Sequence, residues 1–210
     1  MIVLELLGTI TFAVSGAIEA MKKGMDILGV LVLGLVTAVG GGIFRDILIG
    51  NLPPAAFRNP QNAVIALISA LIAFIIGAVV SIRKKSSHKK MWNYILLVSD
   101  AIGLGTFTVL GIRYVQENTA YSNTALLIFV GVVTGVGGGL IRDIFAGNIP
   151  YIFKKHIYAT ASIIGAAAYL GLLKIGHQEM ATTISVILVV LLRILAARFE
   201  WNLPKVNLHD

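Results

Sequence analysis

Apolar positions in this chain are gathered into long segments, and polar positions lie mainly in the short connections between them. Seven of these segments approach the roughly 20 residues that a membrane-spanning helix needs. They cover residues 2–20, 27–49, 61–82, 94–112, 124–146, 156–174 and 181–198. The pattern predicts an all-α membrane protein with seven transmembrane helices. Because the connections are short, we expect a single transmembrane domain over residues 1–210.

The composition agrees with a membrane protein and argues against several kinds of chemistry. Only 13% of the residues are charged and the mean hydropathy is +0.89, whereas about a quarter of a soluble domain is charged. Cysteine is absent and the four histidines lack ligand spacing, so no metal site is expected. No catalytic triad and no phosphate-binding loop can be recognised. We therefore expect neither an enzyme nor a bound cofactor.

The formal charge of +7 comes from basic residues in the connections, which indicates membrane topology rather than nucleic-acid binding. With the N-terminus outside, eleven of these residues lie inside and three outside. The inner set is Lys22, Lys23, Arg83, Lys84, Lys85, Lys89, Lys90, Lys154, Lys155, Arg198 and Lys205, and the outer set is Arg58, Arg113 and Lys174. This bias predicts an N-out, C-in orientation. The basic loop Arg83–Lys90 is interpreted as a topology signal, with contact to anionic lipid as a second interpretation.

One segment of the chain occurs twice. Gly34–Phe57 reads GLVTAVGGGIFRDILIGNLPPAAF, and 97 residues later Gly131–Phe153 reads GVVTGVGGGLIRDIFAGNIPYIF. A weaker match continues upstream, where Glu5 aligns with Asp100. The duplication predicts two three-helix repeats, about 1–82 and about 94–175, followed by an extra helix at about 181–198 without a counterpart. We expect that helix at the lipid boundary or at a subunit contact.

The odd number of spans in each repeat means that the two copies enter the membrane in opposite senses. An inverted repeat of this kind places a substrate or ion path near the membrane midplane, around a pseudo-two-fold axis. The candidate residues for that path are those that the two repeats share within their spans.

The consecutive glycines of the repeats are unusual within spans, because each costs a helix about 1 kcal/mol relative to alanine. As small residues they permit close helix packing; as a contiguous triplet they favour a break or kink that frees carbonyl groups along a path. We favour the second interpretation. Thr37 and Thr134 lie one turn before the central glycine on the same helix face. The predicted constriction comprises Thr37, Gly40, Gly41, Gly42, Thr134, Gly137, Gly138 and Gly139.

Charged side chains within spans are costly and face a bundle interior or an aqueous cavity. The repeats contribute Arg45 with Asp46 and Arg142 with Asp143. Since adjacent residues do not face each other on a helix, we expect each arginine to pair with an acid of the opposite half. The acids available for this charge network are Glu5, Asp46, Asp100 and Asp143. A purely structural role for these ion pairs is the alternative.

The doubled GGGxxRD motif, at 40–46 and 137–143, resembles the prokaryotic branch of the trimeric intracellular cation (TRIC) channels. The resemblance covers nearly the whole chain. It implies a homotrimer in a prokaryotic inner membrane, with one hourglass pore per subunit lined by kinked second and fifth spans. The pore would conduct monovalent cations, chiefly K⁺ with Na⁺. Its constriction would fall at the two glycine triplets, with the arginine and aspartate residues of the motifs beside it.

Two other classes of function are open. Inverted repeats are also typical of secondary transporters, and an unpaired Arg45 or Arg142 would hold a substrate carboxylate bidentately. The chain would then be a transporter of a small, glycine-like amino acid. A structural membrane protein is the third class, but it leaves the consecutive glycines unexplained.

Overall fold

The computed structural model describes residues 1–82, 88–120, 123–154 and 157–201, which form nine helices and no strand. Six helices are long and apolar enough to cross a membrane, and α8 is a shorter apolar helix. The helices are α1 (Ile2–Lys22), α2 (Ile27–Leu48), α3 (Ala55–Arg58), α4 (Gln61–Ile82), α5 (His88–Asn118), α6 (Thr124–Phe145), α7 (Tyr151–Lys154), α8 (Ala159–Leu173) and α9 (Gln178–Arg198).

The predicted all-α membrane architecture is confirmed, and its details differ in three places. Helix α5 is 31 residues long and extends beyond the predicted span at both ends. Helix α8 has only 15 residues. The four-residue helices α3 and α7 were not predicted. The N-out, C-in orientation stays a prediction, and residues 83–87 of the basic loop lie outside the described ranges.

Local sequence signals explain where the two repeated helices begin and end. The side chain of Asp26 accepts a hydrogen bond from the backbone N–H of Gly29 at 2.8 Å and caps α2. Asn123 caps α6 in the same way through the N–H of Ala125, at 2.8 Å. Both helices are followed by a glycine with positive φ, +73° at Gly50 and +66° at Gly147. Glycine adopts this conformation without steric cost and stops a helix.

The helices form two similar groups joined through matching elements. α1, α2 and α4 pack together in the first half, and α5, α6 and α8 in the second. Between the halves, α1 packs on α5 and α2 packs on α6. The unmatched helix α9 packs on α5 and α8, both of which belong to the second half.

Candidate functional site

Helices α2 and α6 cross at their central glycines. A Cβ atom added to Gly41 would collide with the backbone oxygen of Thr134, and one added to Gly138 would collide with that of Thr37. Each contact therefore occurs twice with the roles of the halves exchanged, as a two-fold relation requires. The glycines permit the two helix backbones to approach this closely.

Of the predicted break or kink at the glycines, the break is wrong and the kink stays a prediction. α2 runs without interruption from Ile27 to Leu48, and α6 from Thr124 to Phe145. The backbone groups of the glycines therefore stay within their helices, and the small residues permit close packing of α2 on α6. Thr37 and Thr134 are fully buried, and their hydroxyls donate to the carbonyls of Leu33 at 2.5 Å and Val130 at 2.6 Å.

Two aromatic rings that the sequence analysis did not assign fill the space beside the crossing. Phe12 is 1% exposed, and its ring lies against Gly103 and Gly138. Phe107 occupies the matching place in the second half, with its ring centroid 5.3 Å from that of Phe12. A sequence signal existed, because Thr-Phe occurs at 11–12 and again at 106–107.

The first arginine–aspartate motif forms an ion pair between adjacent residues. The Nε and Nη2 atoms of Arg45 lie 2.9 Å and 2.8 Å from Oδ1 of Asp46. The other carboxylate oxygen, Oδ2, accepts a hydrogen bond from the backbone N–H of Ala55 at 2.7 Å and caps the short helix α3. The prediction that Arg45 does not pair with its neighbour is therefore wrong, because a long arginine side chain can fold back along its own helix.

The second motif repeats this arrangement. Nε of Arg142 donates to Oδ1 of Asp143 at 2.9 Å, and Oδ2 accepts from the backbone N–H of Tyr151 at 2.8 Å, which caps α7. The guanidinium carbon of Arg142 lies 5.3 Å from the centroid of the Tyr151 ring. Burial raises the pKa of the Tyr151 phenol to about 12, so this ring is neutral at physiological pH.

Two of the contacts that join the halves near these motifs are hydrogen bonds donated by asparagines. Nδ2 of Asn51 donates to the Tyr114 hydroxyl at 2.6 Å, and Nδ2 of Asn148 donates to Oε1 of Glu19 at 2.7 Å. Glu19 and Tyr114 are 95 residues apart, the same offset as Glu5 and Asp100. No role was predicted for these asparagines, although their recurrence at 51 and 148 is visible in the sequence.

The first half contains a cavity of about 340 Å³ between α1, α2 and the start of α4. We call it the first cavity. Glu5, Gly42, Arg45, Asp46 and Asn62 are among its lining residues. Oε1 of Glu5 accepts a hydrogen bond from Nδ2 of Asn62 at 2.6 Å. A Cβ atom added to Gly42 would meet only Nη2 of Arg45, at 3.8 Å, so this glycine faces open space.

The matching region of the second half is filled by side chains, which we call the Asp100 cluster. Oδ1 of Asp100 accepts hydrogen bonds from Nη1 of Arg142 at 2.5 Å and from the Tyr158 hydroxyl at 3.2 Å. Oδ2 lies 3.7 Å from Nη2 of Arg193. Nη1 of Arg142 also donates to Oγ of Ser15 at 2.7 Å. Asp100, Arg142 and Ser15 are each 0% exposed.

This geometry corrects the predicted pairing between halves. The acids that form ion pairs with Arg142 are Asp100 and Asp143, which belong to its own half, and from the other half Ser15 accepts a hydrogen bond from it. Arg193 was missed, although one arginine within the last apolar segment is the kind of intramembrane charge that indicates a buried partner. Arg113 was assigned to an outer loop, yet it is 7% exposed and lies 4.0 Å from Glu117 and 3.9 Å from Glu179.

Comparisons with known proteins agree with this architecture. A family model described as Glycine transporter matches residues 2–78 and 97–174. The UPF0126 inner membrane protein YadS of Escherichia coli K12 is 36% identical over 211 residues, which are 99% of this chain and 96% of that protein. A solved TRIC cation channel is 36% identical, with a TM-score of 0.83, covering 100% of this chain and 98% of that one. The TRIC orthologue from Rhodobacter sphaeroides is 32% identical, with a TM-score of 0.83 and coverage of 95% and 98%.

The fold and the repeated motifs thus define a multi-pass membrane protein of the prokaryotic inner membrane. The chain belongs to the prokaryotic TRIC family, whose sequence model carries the description Glycine transporter. The predicted resemblance is confirmed.

Proposed function

We propose that this chain is a cation channel that conducts K⁺ and Na⁺, assembled as a homotrimer with one pore in each subunit. The similarity to solved TRIC cation channels over the whole chain supports the class of function. The path would enter at the first cavity, pass the crossing of α2 and α6 at the two glycine triplets, and leave through the region of the Asp100 cluster.

The observation that carries this proposal is the charge of the first cavity. Its charged lining residues are Glu5, Arg45 and Asp46, which give a formal charge of −1. The guanidinium of Arg45 is paired with Asp46, which leaves the carboxylate of Glu5 as the excess charge. A pore mouth with excess negative charge attracts cations and repels anions.

The transporter of a glycine-like amino acid is the second candidate, and it has one observation in its favour. Arg45 is 9% exposed and lines a cavity large enough for a small amino acid. To bind a substrate carboxylate bidentately, its guanidinium would have to release Asp46. Arg142 is 0% exposed, so it would require a larger rearrangement to bind a substrate.

Single-channel recording of the purified protein in planar bilayers under a potassium gradient tests the proposal. We expect discrete current steps that reverse near the potassium equilibrium potential. Silent bilayers together with saturable glycine uptake into proteoliposomes would establish the transporter instead. Light scattering of the detergent-solubilised protein tests the assembly, because a trimer has three times the 22.4 kDa mass of the chain.

A further inference from the structure

The last glycines of the two triplets have opposite surroundings. Gly42 lines the first cavity and is half-buried. Gly139, its counterpart 97 residues later, is buried, and a Cβ atom added there would collide with the hydroxyl of Tyr158. The place that is open in the first half is therefore occupied by a phenol in the second.

Tyr158 is held in this place from two sides. Its side chain is 1% exposed, and its hydroxyl donates to Oδ1 of Asp100 at 3.2 Å. The guanidinium carbon of Arg193 lies 4.6 Å from the centroid of the Tyr158 ring, within cation–π distance. Nη1 of Arg193 also donates to the carbonyl of Ile157 at 3.3 Å, the residue directly before Tyr158. Arg193 thus contacts both the ring and the backbone that carries it.

Arg193 also changes the charge of this region. Asp100, Asp143 and Arg142 together carry a formal charge of −1, as Glu5, Asp46 and Arg45 do in the first cavity. Arg193 lies 3.7 Å from Oδ2 of Asp100 and brings the sum in the second half to zero. This arginine belongs to α9, the described helix that has no counterpart in the repeat.

We propose that Tyr158 is a plug that closes the second half of the path, and that Arg193 is the positioning residue that holds the plug and neutralises the site. This inference rests on the proposed function for its role in conduction. Displacing Tyr158 uncovers Gly139 and Asp100 and forms a second cavity equivalent to the first. Moving Arg193 away restores the formal charge of −1 that Asp100, Asp143 and Arg142 carry together. A shift of α9 therefore opens the site and makes it attractive to cations in one step.

Thiol modification tests the plug without requiring conduction, since the chain has no cysteine. Ser15→Cys places a thiol beside Arg142 in the Asp100 cluster, and Gln61→Cys places one in the first cavity. In detergent, where both faces are accessible, a small cationic thiosulfonate reagent should modify Ser15→Cys at least tenfold faster once Tyr158→Ala is added. The rate at Gln61→Cys should not change. Equal rates at Ser15→Cys with and without Tyr158→Ala would overturn the proposal.

A second pair of variants addresses Arg193 and covers the case in which Tyr158→Ala does not fold. Arg193→Gln should raise the modification rate of Ser15→Cys and increase the open probability in bilayers. Arg193→Lys, which keeps the charge, should retain a substantial part of the wild-type protection. Arg198→Gln, an exposed arginine on the same helix, is the matched control and should change neither quantity. Protection that is unchanged in Arg193→Gln would exclude the positioning role.

The plug and the cation-channel function can be disproved separately. If bilayers stay silent with both the wild-type protein and Arg193→Gln, but Arg193→Gln exposes Ser15→Cys, the plug is supported and the cation-channel function is disproved. If wild-type bilayers conduct but neither the Tyr158 nor the Arg193 variants alter accessibility or open probability, the channel stands and the plug is disproved.

Discussion

The guanidinium of Arg45 stacks on the ring of Tyr114, with its central carbon 3.5 Å from the ring centroid. This contact joins the arginine–aspartate motif of the first half to helix α5 of the second. The hydroxyl of the same tyrosine accepts a hydrogen bond from Asn51. The position that matches Tyr114 is Glu19 on α1 of the first half, which accepts hydrogen bonds from Asn148 and Lys22. At these two matching positions, Tyr114 makes a cation–π contact with Arg45, whereas Glu19 forms an ion pair with Lys22.

The hydrogen bond of Tyr114 gives a first prediction. Tyr114→Phe keeps the ring under Arg45 but leaves Nδ2 of Asn51 without this acceptor, so we expect a loss of about 1 kcal/mol in the free energy of unfolding. Tyr114→Ala should cost more, because the cation–π contact is lost as well. Denaturant titration in detergent measures both. Tyr94→Phe, at a tyrosine that is 60% exposed, is the control, and an equal loss there would contradict the assignment.

The glycine crossing gives a second prediction, with its control in the same triplet. Gly41→Ala forces α2 and α6 apart, because the added methyl group collides with the backbone oxygen of Thr134. We expect a lower melting temperature for Gly41→Ala and little change or a gain for Gly42→Ala, which has room for a methyl group. Gly41→Leu or Gly138→Leu should abolish flux. Normal stability and normal flux in Gly41→Ala would contradict the role assigned to the crossing of α2 and α6.

The charge of Glu5 gives a third prediction, which concerns conduction. Glu5→Gln brings the first cavity from −1 to zero, so the potassium conductance should fall by roughly half or more at 0.01 M salt, where the Debye length is about 30 Å. At 1 M salt, where it is about 3 Å, the difference should nearly vanish. Glu179→Gln, whose side chain is 85% exposed outside this cavity, should leave the conductance unchanged. A decrease that is independent of salt would argue against an electrostatic role.

The Asp100 cluster gives a fourth prediction, which concerns stability. Asp100→Asn removes the carboxylate that lies beside Arg193 and leaves Arg142 paired only with Asp143. Both arginines are buried. Removing one member of a buried ion pair costs about 3–5 kcal/mol. Glu5→Gln, at the matching but half-buried position, keeps an acceptor for the hydrogen bond from Asn62, so it should cost less than about 1 kcal/mol. Denaturant titration of both variants measures these losses in the free energy of unfolding. Similar losses in the two variants would contradict the prediction.

The parts of this molecule that follow from local sequence could be predicted, and those that depend on long side chains could not. The apolar segments fix the long helices, and the repeated glycines mark the crossing of α2 with α6. The helices α3 and α7 have four residues each, and their first turns depend on capping by Asp46 and Asp143, which no periodicity reveals. A break or kink at the glycines was predicted from chain entropy, but close packing of α2 on α6 also requires glycines, and both helices run without interruption.

The charged contacts show a second limit. Helix geometry indicates that neighbouring residues point apart, but an arginine has four rotatable bonds, and Arg45 folds back onto Asp46. Arg193 lies 93 residues from Asp100 in the chain, and only the packing of α9 on α5 brings them together. Arg193 was not predicted as a site residue, and although an arginine within an apolar segment indicates a buried charge, the sequence does not identify its partner.

Helix α9 makes the two halves of the molecule unequal. A pore with a two-fold axis in the membrane plane has identical entrances and passes equal currents at opposite voltages. α9 packs mainly on α5 and α8 and places Arg193 beside Asp100, so the two entrances of the proposed pore would differ in width and in potential. We therefore expect rectification: currents of unequal size under opposite voltages of the same magnitude, in a protein whose duplicated halves alone would conduct equally both ways.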